Sequence, residues 1–193
     1  MMAIITGETP RLLLRGWQDS DLPAFAALNS DPEVMKYFPA ALSRAESDAQ
    51  ANRIRQFMQQ HGWGLWAVEV KHQAAFIGFV GLAIPGDDLP CSPCVEIGWR
   101  LAKEHWGQGY ASEAARCALD IALNTLQLSE VVSFTAEINL PSRRVMERIG
   151  MNFSGETFEH PRLPLCHPLR KHVLYRYPHP KGLCETDSEP VQS

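Results

Sequence analysis

A single mixed α/β (α+β) domain is what this sequence predicts, on three observations. Strand patterns come first in succession and are followed by one strand–helix–strand unit, an order that builds a mixed sheet. The 193 residues are 45% hydrophobic, which suits one sizeable core, and no second domain is expected. Finally, a strand-like run, Val95-Glu96-Ile97-Gly98-Trp99-Arg100-Leu101, feeds a glycine-rich turn, Gly107-Gln108-Gly109, that opens straight into a helix. Such a turn presents a row of unpaired N–H groups to a phosphate-bearing ligand.

The elements follow in order. A first strand is expected over 11–16, and Asp19-Ser20-Asp21 then supply an N-cap and first-turn acids for a helix to Asn29. Its apolar residues Leu22, Phe25, Ala26 and Leu28 recur at helical spacing. After a loop through Pro39, Ser43 caps a second helix ending near His61, with its charged and glutamine-rich face toward solvent. Strands over 63–70 and 75–84, joined by Lys71-His72-Gln73, make a hairpin. A loop from Gly86 to Pro93 leads into the strand Val95 to Leu101. Residues 111–126, rich in alanine and leucine, carry the strongest local helix signal. A β-branched strand over 131–136 precedes a helix over 142–149, which Gly150 ends in a left-handed conformation. A last antiparallel pair, 153–157 and 172–177, flanks a proline-rich loop over 161–168. The domain is drawn at 9–178, and the tail 179–193, nearly devoid of apolar residues, is expected to be mobile.

Composition narrows the function. A formal charge of −4 argues against a phosphate-neutralising surface, so no nucleic-acid partner is expected. No segment approaches the roughly 20 apolar residues of a membrane span, and the N-terminus lacks a signal pattern. The expectation is a cytoplasmic protein with no membrane partner. Five scattered cysteines, Cys91, Cys94, Cys117, Cys166 and Cys184, do not suit a disulfide framework. Cys91-Ser92-Pro93-Cys94 would need two further ligands, from Cys166, His160 or His167, to hold zinc, and no second pair has that spacing. A zinc-stapled binding protein is therefore a remote reading, and no metal is expected.

Three phosphate ligands compete for the turn. A nucleoside-triphosphate loop needs Lys-Ser/Thr after its last glycine, where Tyr110-Ala111 stand. A dinucleotide fingerprint would place Gly107 and Gly109 in register but meets Ser112 third, and about eighty residues remain afterwards, too few for most of a doubly wound sheet. An ordinary strand-to-helix turn is the plain alternative.

The third register, Q/R-x-x-G-x-G/A, is similar to the acetyl-coenzyme A loop of the Gcn5-related N-acetyltransferases (GNAT), with Trp106 first, then Gly109 and Ala111. Trp106-Gly107-Gln108-Gly109-Tyr110-Ala111-Ser112-Glu113-Ala114 resembles the Rim-type branch, which acetylates ribosomal-protein N-termini. Thr9-Pro10-Arg11-Leu12-Leu13-Leu14-Arg15, Asp31-Pro32-Glu33-Val34-Met35-Lys36-Tyr37-Phe38-Pro39, Gly64-Leu65-Trp66-Ala67-Val68, Ile77-Gly78-Phe79-Val80-Gly81 and Asn139-Leu140-Pro141-Ser142 with Gly150-Met151 resemble further motifs of that branch, in order. The resemblance implies a mostly antiparallel, twisted central sheet flanked by helices. Its central strands would splay after a bulge, leaving an edge along which pantetheine lies.

It also implies direct transfer of an acetyl group from acetyl-CoA, as cosubstrate, to a primary amine on a protein N-terminus or a small molecule. Cofactor-binding groups would be Trp99, Arg100 and Leu101 on the strand, and Trp106, Gly107, Gln108, Gly109, Tyr110, Ala111 and Ser112 on the turn. Asn139, Ser142 and Arg143, with Arg144 beside it, would complete that set. A neutral account makes Asn139 a turn residue and Ser142 a helix cap. Glu96 is the candidate catalytic base, with a structural hydrogen-bonding role as the alternative and Glu137 as the second candidate. Strand alternation sets Glu96, Gly98 and Arg100 on one face and Val95, Ile97, Trp99 and Leu101 on the other. Many relatives carry a tyrosine acid where Met146 stands. Phe38, Pro39 and Tyr175 are candidates for substrate contact, and His160, His167 and His172 cluster on the same side. Trp63, Trp66 and the stretch from Phe76 to Phe79 read as core. A coenzyme-binding regulatory or interaction module without turnover is the rival reading, and either a monomer or a homodimer is compatible with the chain.

Overall fold

The computed structural model describes residues 2–178, so the expectation for the tail 179–193 lies outside the described residues. Eight strands form one sheet: β1 (Gly7–Glu8), β2 (Leu12–Arg15), β3 (Leu65–Val70), β4 (Ala74–Ala83), β5 (Glu96–Leu101), β6 (Glu130–Ala136), β7 (Asn152–Glu159) and β8 (Lys171–Pro178). Their order is β1-β2-β3-β4-β5-β6-β8-β7, and only β5 and β6 run parallel. Four helices pack on it: α1 (Leu22–Ser30), α2 (Arg44–His61), α3 (Tyr110–Asp120) and α4 (Leu140–Arg148). α1 rests on β4 and pairs with α2, whereas α3 spans β2, β4 and β5 and touches α4 beside β6. The mixed, mostly antiparallel sheet is as expected.

Local chemistry explains the element ends. Ser43 accepts from the Glu46 backbone N–H while the Glu46 carboxylate receives the Ser43 N–H, so two orphan donors at the start of α2 are satisfied reciprocally. Gly62, at φ 77°, closes the same helix in the left-handed region. Trp66, Phe25, Leu12, Leu14, Ile77, Leu82 and Ile97 are among the largest fully buried side chains of the core between sheet and helices.

Four local expectations are corrected. Asp21 does not cap α1. It is 1% exposed and forks onto Arg15, with Nη1 to Oδ2 at 2.8 Å and Nη2 to Oδ1 at 2.9 Å, because a buried guanidinium needs that carboxylate more than a helix end in water does. The β4–β5 ladder keeps register through six consecutive pairs, from Gly78 opposite Leu101 to Ala83 opposite Glu96, so the strands part without a bulge in β5. The helix expected to reach Leu126 widens after Asp120 into a turn with the Leu126 N–H donating to the Ile121 carbonyl. The α4 cap is Asn139 rather than Ser142: the Asn139 side chain accepts from the Ser142 N–H at 3.3 Å.

Candidate functional site

β5 and β6 share one rung. Glu96 lies opposite Val132, whose N–H donates to the Val95 carbonyl at 2.9 Å. The Ser133 hydroxyl then reaches the Ile97 carbonyl at 2.9 Å, and beyond it the strands separate. On the other side of β5, Ala102 donates to Ile77. The two-residue period of an antiparallel ladder therefore turns the even-numbered N–H groups of β5 toward β4 and the odd-numbered ones toward the gap. Trp99 and Leu101 hold donors over a gap where no strand receives them. Arg100 is corrected on this ground: its N–H belongs to the β4 ladder, and its side chain lies on the face of α1.

The gap opens into a groove of about 800 Å³. One end is the turn before α3, where Gly107 and Gly109 sit at φ 75° and 81°, a region costly to side-chain-bearing residues. An added β-carbon at Gly107 would meet nothing within 4 Å, and at Gly109 only Arg11 Nη2 at 3.5 Å, so the space above both is free for a ligand. Gly109 accepts from the Glu113 N–H, and the N–H groups of Tyr110, Ala111 and Ser112 remain at the positive end of α3. The indole N–H of Trp106 donates to the Leu101 carbonyl at 2.8 Å, closing the end of β5, while its ring stays 46% exposed at the groove rim. Arg11 pairs with Glu113 and covers the Tyr110 ring at 4.6 Å, which pins the turn from outside. Gln108 alone of the turn residues named from the sequence points away, its amide donating to the Glu104 carbonyl at 3.3 Å.

The far wall comes from β6 and α4. Asn139 is 7% exposed, and its amide nitrogen donates to Thr135 Oγ1 at 2.8 Å, leaving one amide hydrogen for a ligand. Ser142 lines the groove beside it. Arg143 does not: it turns to the Tyr175 hydroxyl and the Glu137 carbonyl. Arg144 and Arg148, one helical turn apart, line it instead. Arg148 was missed in the sequence, although its i+4 relation to Arg144 was a readable signal.

The other half of the groove lies under the α1–α2 connection and the β7–β8 loop. Tyr37, Phe38 and Pro39 form one lip, and His160, Arg162 and Leu163 the other. Arg162 forks onto Asp88 from the β4–β5 connection, tying that lip down. His160 and His172 meet at a tilt of 49°, ring centroids 4.8 Å apart, beside Phe134. Burial holds both imidazoles below their ordinary value, with Arg162 next in effect on His160. His167 is outside the groove, its Nδ1 accepting from the Leu169 N–H.

Glu96 opens onto this half. Its side chain keeps a small opening to the groove, yet burial pushes the carboxyl up to about 8, with no charge or hydrogen bond offsetting it. Two other candidates are corrected. Glu137 pairs with Lys171 at 2.8 Å, outside the groove. Tyr175, 1% exposed, gives its hydroxyl to Glu147 beneath α4 and does not line the groove. Met146 lines the wall and is 1% exposed, so no hydroxyl stands there. Trp66 is core, and Phe79 is both core and groove floor.

Cys91 and Cys94 face each other with sulfurs 3.7 Å apart, and among the described residues no three His, Cys, Asp or Glu side chains are grouped to hold a metal. No helix among them is long and apolar enough to cross a membrane.

Substitution of Gly109 by valine is expected to weaken acetyl-CoA binding by about tenfold or more, since it strains a left-handed position and fills the space above the turn. Titration calorimetry measures this, with thermal melting to separate unfolding. An unchanged Kd would show that the turn carries no ligand.

Comparison with known proteins agrees with this geometry. A family model described as an acetyltransferase (GNAT) domain matches residues 11–152. The chain is 34% identical to the Bacillus subtilis protein YkkB over 147 residues, covering 76% of this chain and 84% of that one. An acetyltransferase of the GNAT family from Bacillus anthracis superposes with a TM-score of 0.76 at 24% identity, covering 90% of this chain and 98% of its own. RimL, a ribosomal L7/L12 α-N-protein acetyltransferase solved with coenzyme A, has the same fold at 16% identity, with a TM-score of 0.72 and coverage of 91% and 98%.

Proposed function

The chain belongs to the GNAT acetyltransferases, enzymes that use acetyl-CoA, and on that premise we propose that it acetylates a primary amine, a protein N-terminus or a small amine, with Glu96 as base. The observation that carries the reading is the parted β5–β6 seam, with free N–H groups on one wall and a lone buried carboxyl at the acceptor end.

The residues divide the work. Tyr110, Ala111 and Ser112 offer their N–H groups, and Arg144 and Arg148 their charge, to the coenzyme's phosphates. The Trp99 and Leu101 N–H groups stand in for a strand partner to the pantetheine amides and hold the thioester oxygen as it gains charge. Asn139 gives its spare amide hydrogen to pantetheine. Glu96 takes a proton from the incoming ammonium, freeing the lone pair to attack the acetyl carbon. As the C–N bond forms and the C–S bond breaks, the nitrogen sheds its second proton and the departing thiolate takes it up, leaving amide and free thiol. With Met146 in the wall it leaves without a dedicated acid, which a thiol of ordinary pKa near 8.5 permits.

The test is release of free thiol from acetyl-CoA in the presence of peptides and small amines, alongside calorimetric titration of the coenzyme. Saturable binding and amine-dependent thiol release are expected. Binding without release from any acceptor would leave a coenzyme-binding module instead.

A further inference from the structure

Arg100 is a buried cation with no carboxylate partner among the described residues. Its side chain is 8% exposed and lines the groove, and none of the ion pairs among the described residues includes it. Its surroundings are neutral: Nη1 donates to Asn29 Oδ1 at 2.5 Å, and the Phe38 and Phe79 rings lie 4.0 and 5.4 Å from the guanidinium carbon. Nε has no partner. Arg15 makes the contrast. At the same 8% exposure it is given both Asp21 and Glu69. An unpaired buried charge is costly, so the missing anion is best understood as one that arrives with a ligand.

Glu96 lies on the same face of β5, and it too lacks a partner among the described residues. Between the two stands Gly98, where an added β-carbon would meet nothing within 4 Å. The strand thus offers an acid, an open floor and a guanidinium without an anion in line, with backbones of the two charged residues roughly 13 Å apart and long side chains to close the distance. Resting on the transferase reading above, we infer that the acceptor is a small amino-acid-type zwitterion, its ammonium meeting Glu96 and its carboxylate meeting Arg100. The planar guanidinium fork suits a carboxylate, and the Phe38 and Phe79 rings accommodate the carbon skeleton.

The experiment compares matched sets in the thiol-release assay: α-, β- and γ-amino acids, their carboxamides, and the amines lacking the carboxyl group. The acid is expected to exceed its amide in kcat/KM by about tenfold or more, since a site built for a polar group discriminates strongly against its absence. Arg100→Met is expected to erase that preference. Asn29→Asp, which hands Arg100 an internal carboxylate, should do the same while the fold is kept. Both variants should bind acetyl-CoA as the wild type does. Amides or simple amines used as well as acids, or a preference that survives both substitutions, would overturn the inference. So would intact coenzyme binding and turnover confined to other amines, whereas failure to bind acetyl-CoA would count against the transferase reading itself.

Discussion

Glu96→Gln is expected to lower kcat by about 10²- to 10⁴-fold, the usual worth of a positioned base, with acetyl-CoA affinity unchanged. The amide keeps the shape of the side chain and removes only the proton-accepting charge. Wild-type kcat/KM should rise with pH through about 8, where burial has pushed the Glu96 carboxyl, and the variant should lose that limb. Stability moves the opposite way. The folded state holds the Glu96 proton more tightly than the unfolded chain, so between the ordinary carboxylate value and about 8 stability falls as pH rises. Glu96→Gln removes this loss and should therefore melt above the wild type at pH 9. A variant with full activity, or a pH limb that persists in it, would transfer the role of base elsewhere, His160 and His172 being the nearest alternatives in the same half of the groove.

Asp21→Ala should cost about 3–5 kcal/mol in urea unfolding, the range for breaking a buried ion pair from one side. Arg15 would keep Glu69 at 3.1 Å, but that carboxylate is 31% exposed and engages Nε alone. The Gln18 N–H, which Asp21 also receives at 2.8 Å, would be orphaned, and the guanidinium would lose its only buried carboxylate. An Asp21→Leu/Arg15→Met double variant should be less damaged than Asp21→Ala, because no buried charge is left unpaired and the released Glu69, 31% exposed, can turn to water. Loss below about 1 kcal/mol for the single change would mean that Glu69 suffices.

What the sequence disclosed, and what it withheld, divides by range. Ser43 with Glu46, the Lys71-His72-Gln73 connection and Gly150 are local signals, and the elements they bound stand within a residue or two of expectation. Glu96, Gly109 and Asn139 were legible through motif spacing. Parity along β5 was also readable, yet only the ladder with β4 shows which parity faces the gap. Arg143 and Arg144 differ by one step of helical rotation, and no sequence pattern tells which of two adjacent arginines meets β8 and which meets the groove. Asp21 read only as one of the acids or caps at the start of α1 because its true partner, Arg15, sits on a different element. Asn29 was invisible as the neighbour of Arg100, being 71 residues away in the chain, and Tyr175 looked available because burial beneath α4 leaves no trace in a strand pattern.

The parting of β5 from β6 also bears on how the protein avoids its own kind. Unpaired strand donors at a sheet's margin invite pairing with a neighbouring molecule. Here such donors lie in the middle of the sheet, behind the rim of Trp106 and the lips at Phe38 and His160. A second protein would have to bring a whole strand, with side chains on both faces, into that cleft. A slender, unbranched chain needs only its own width, so a single extended ligand meets these donors more easily than a neighbouring strand does.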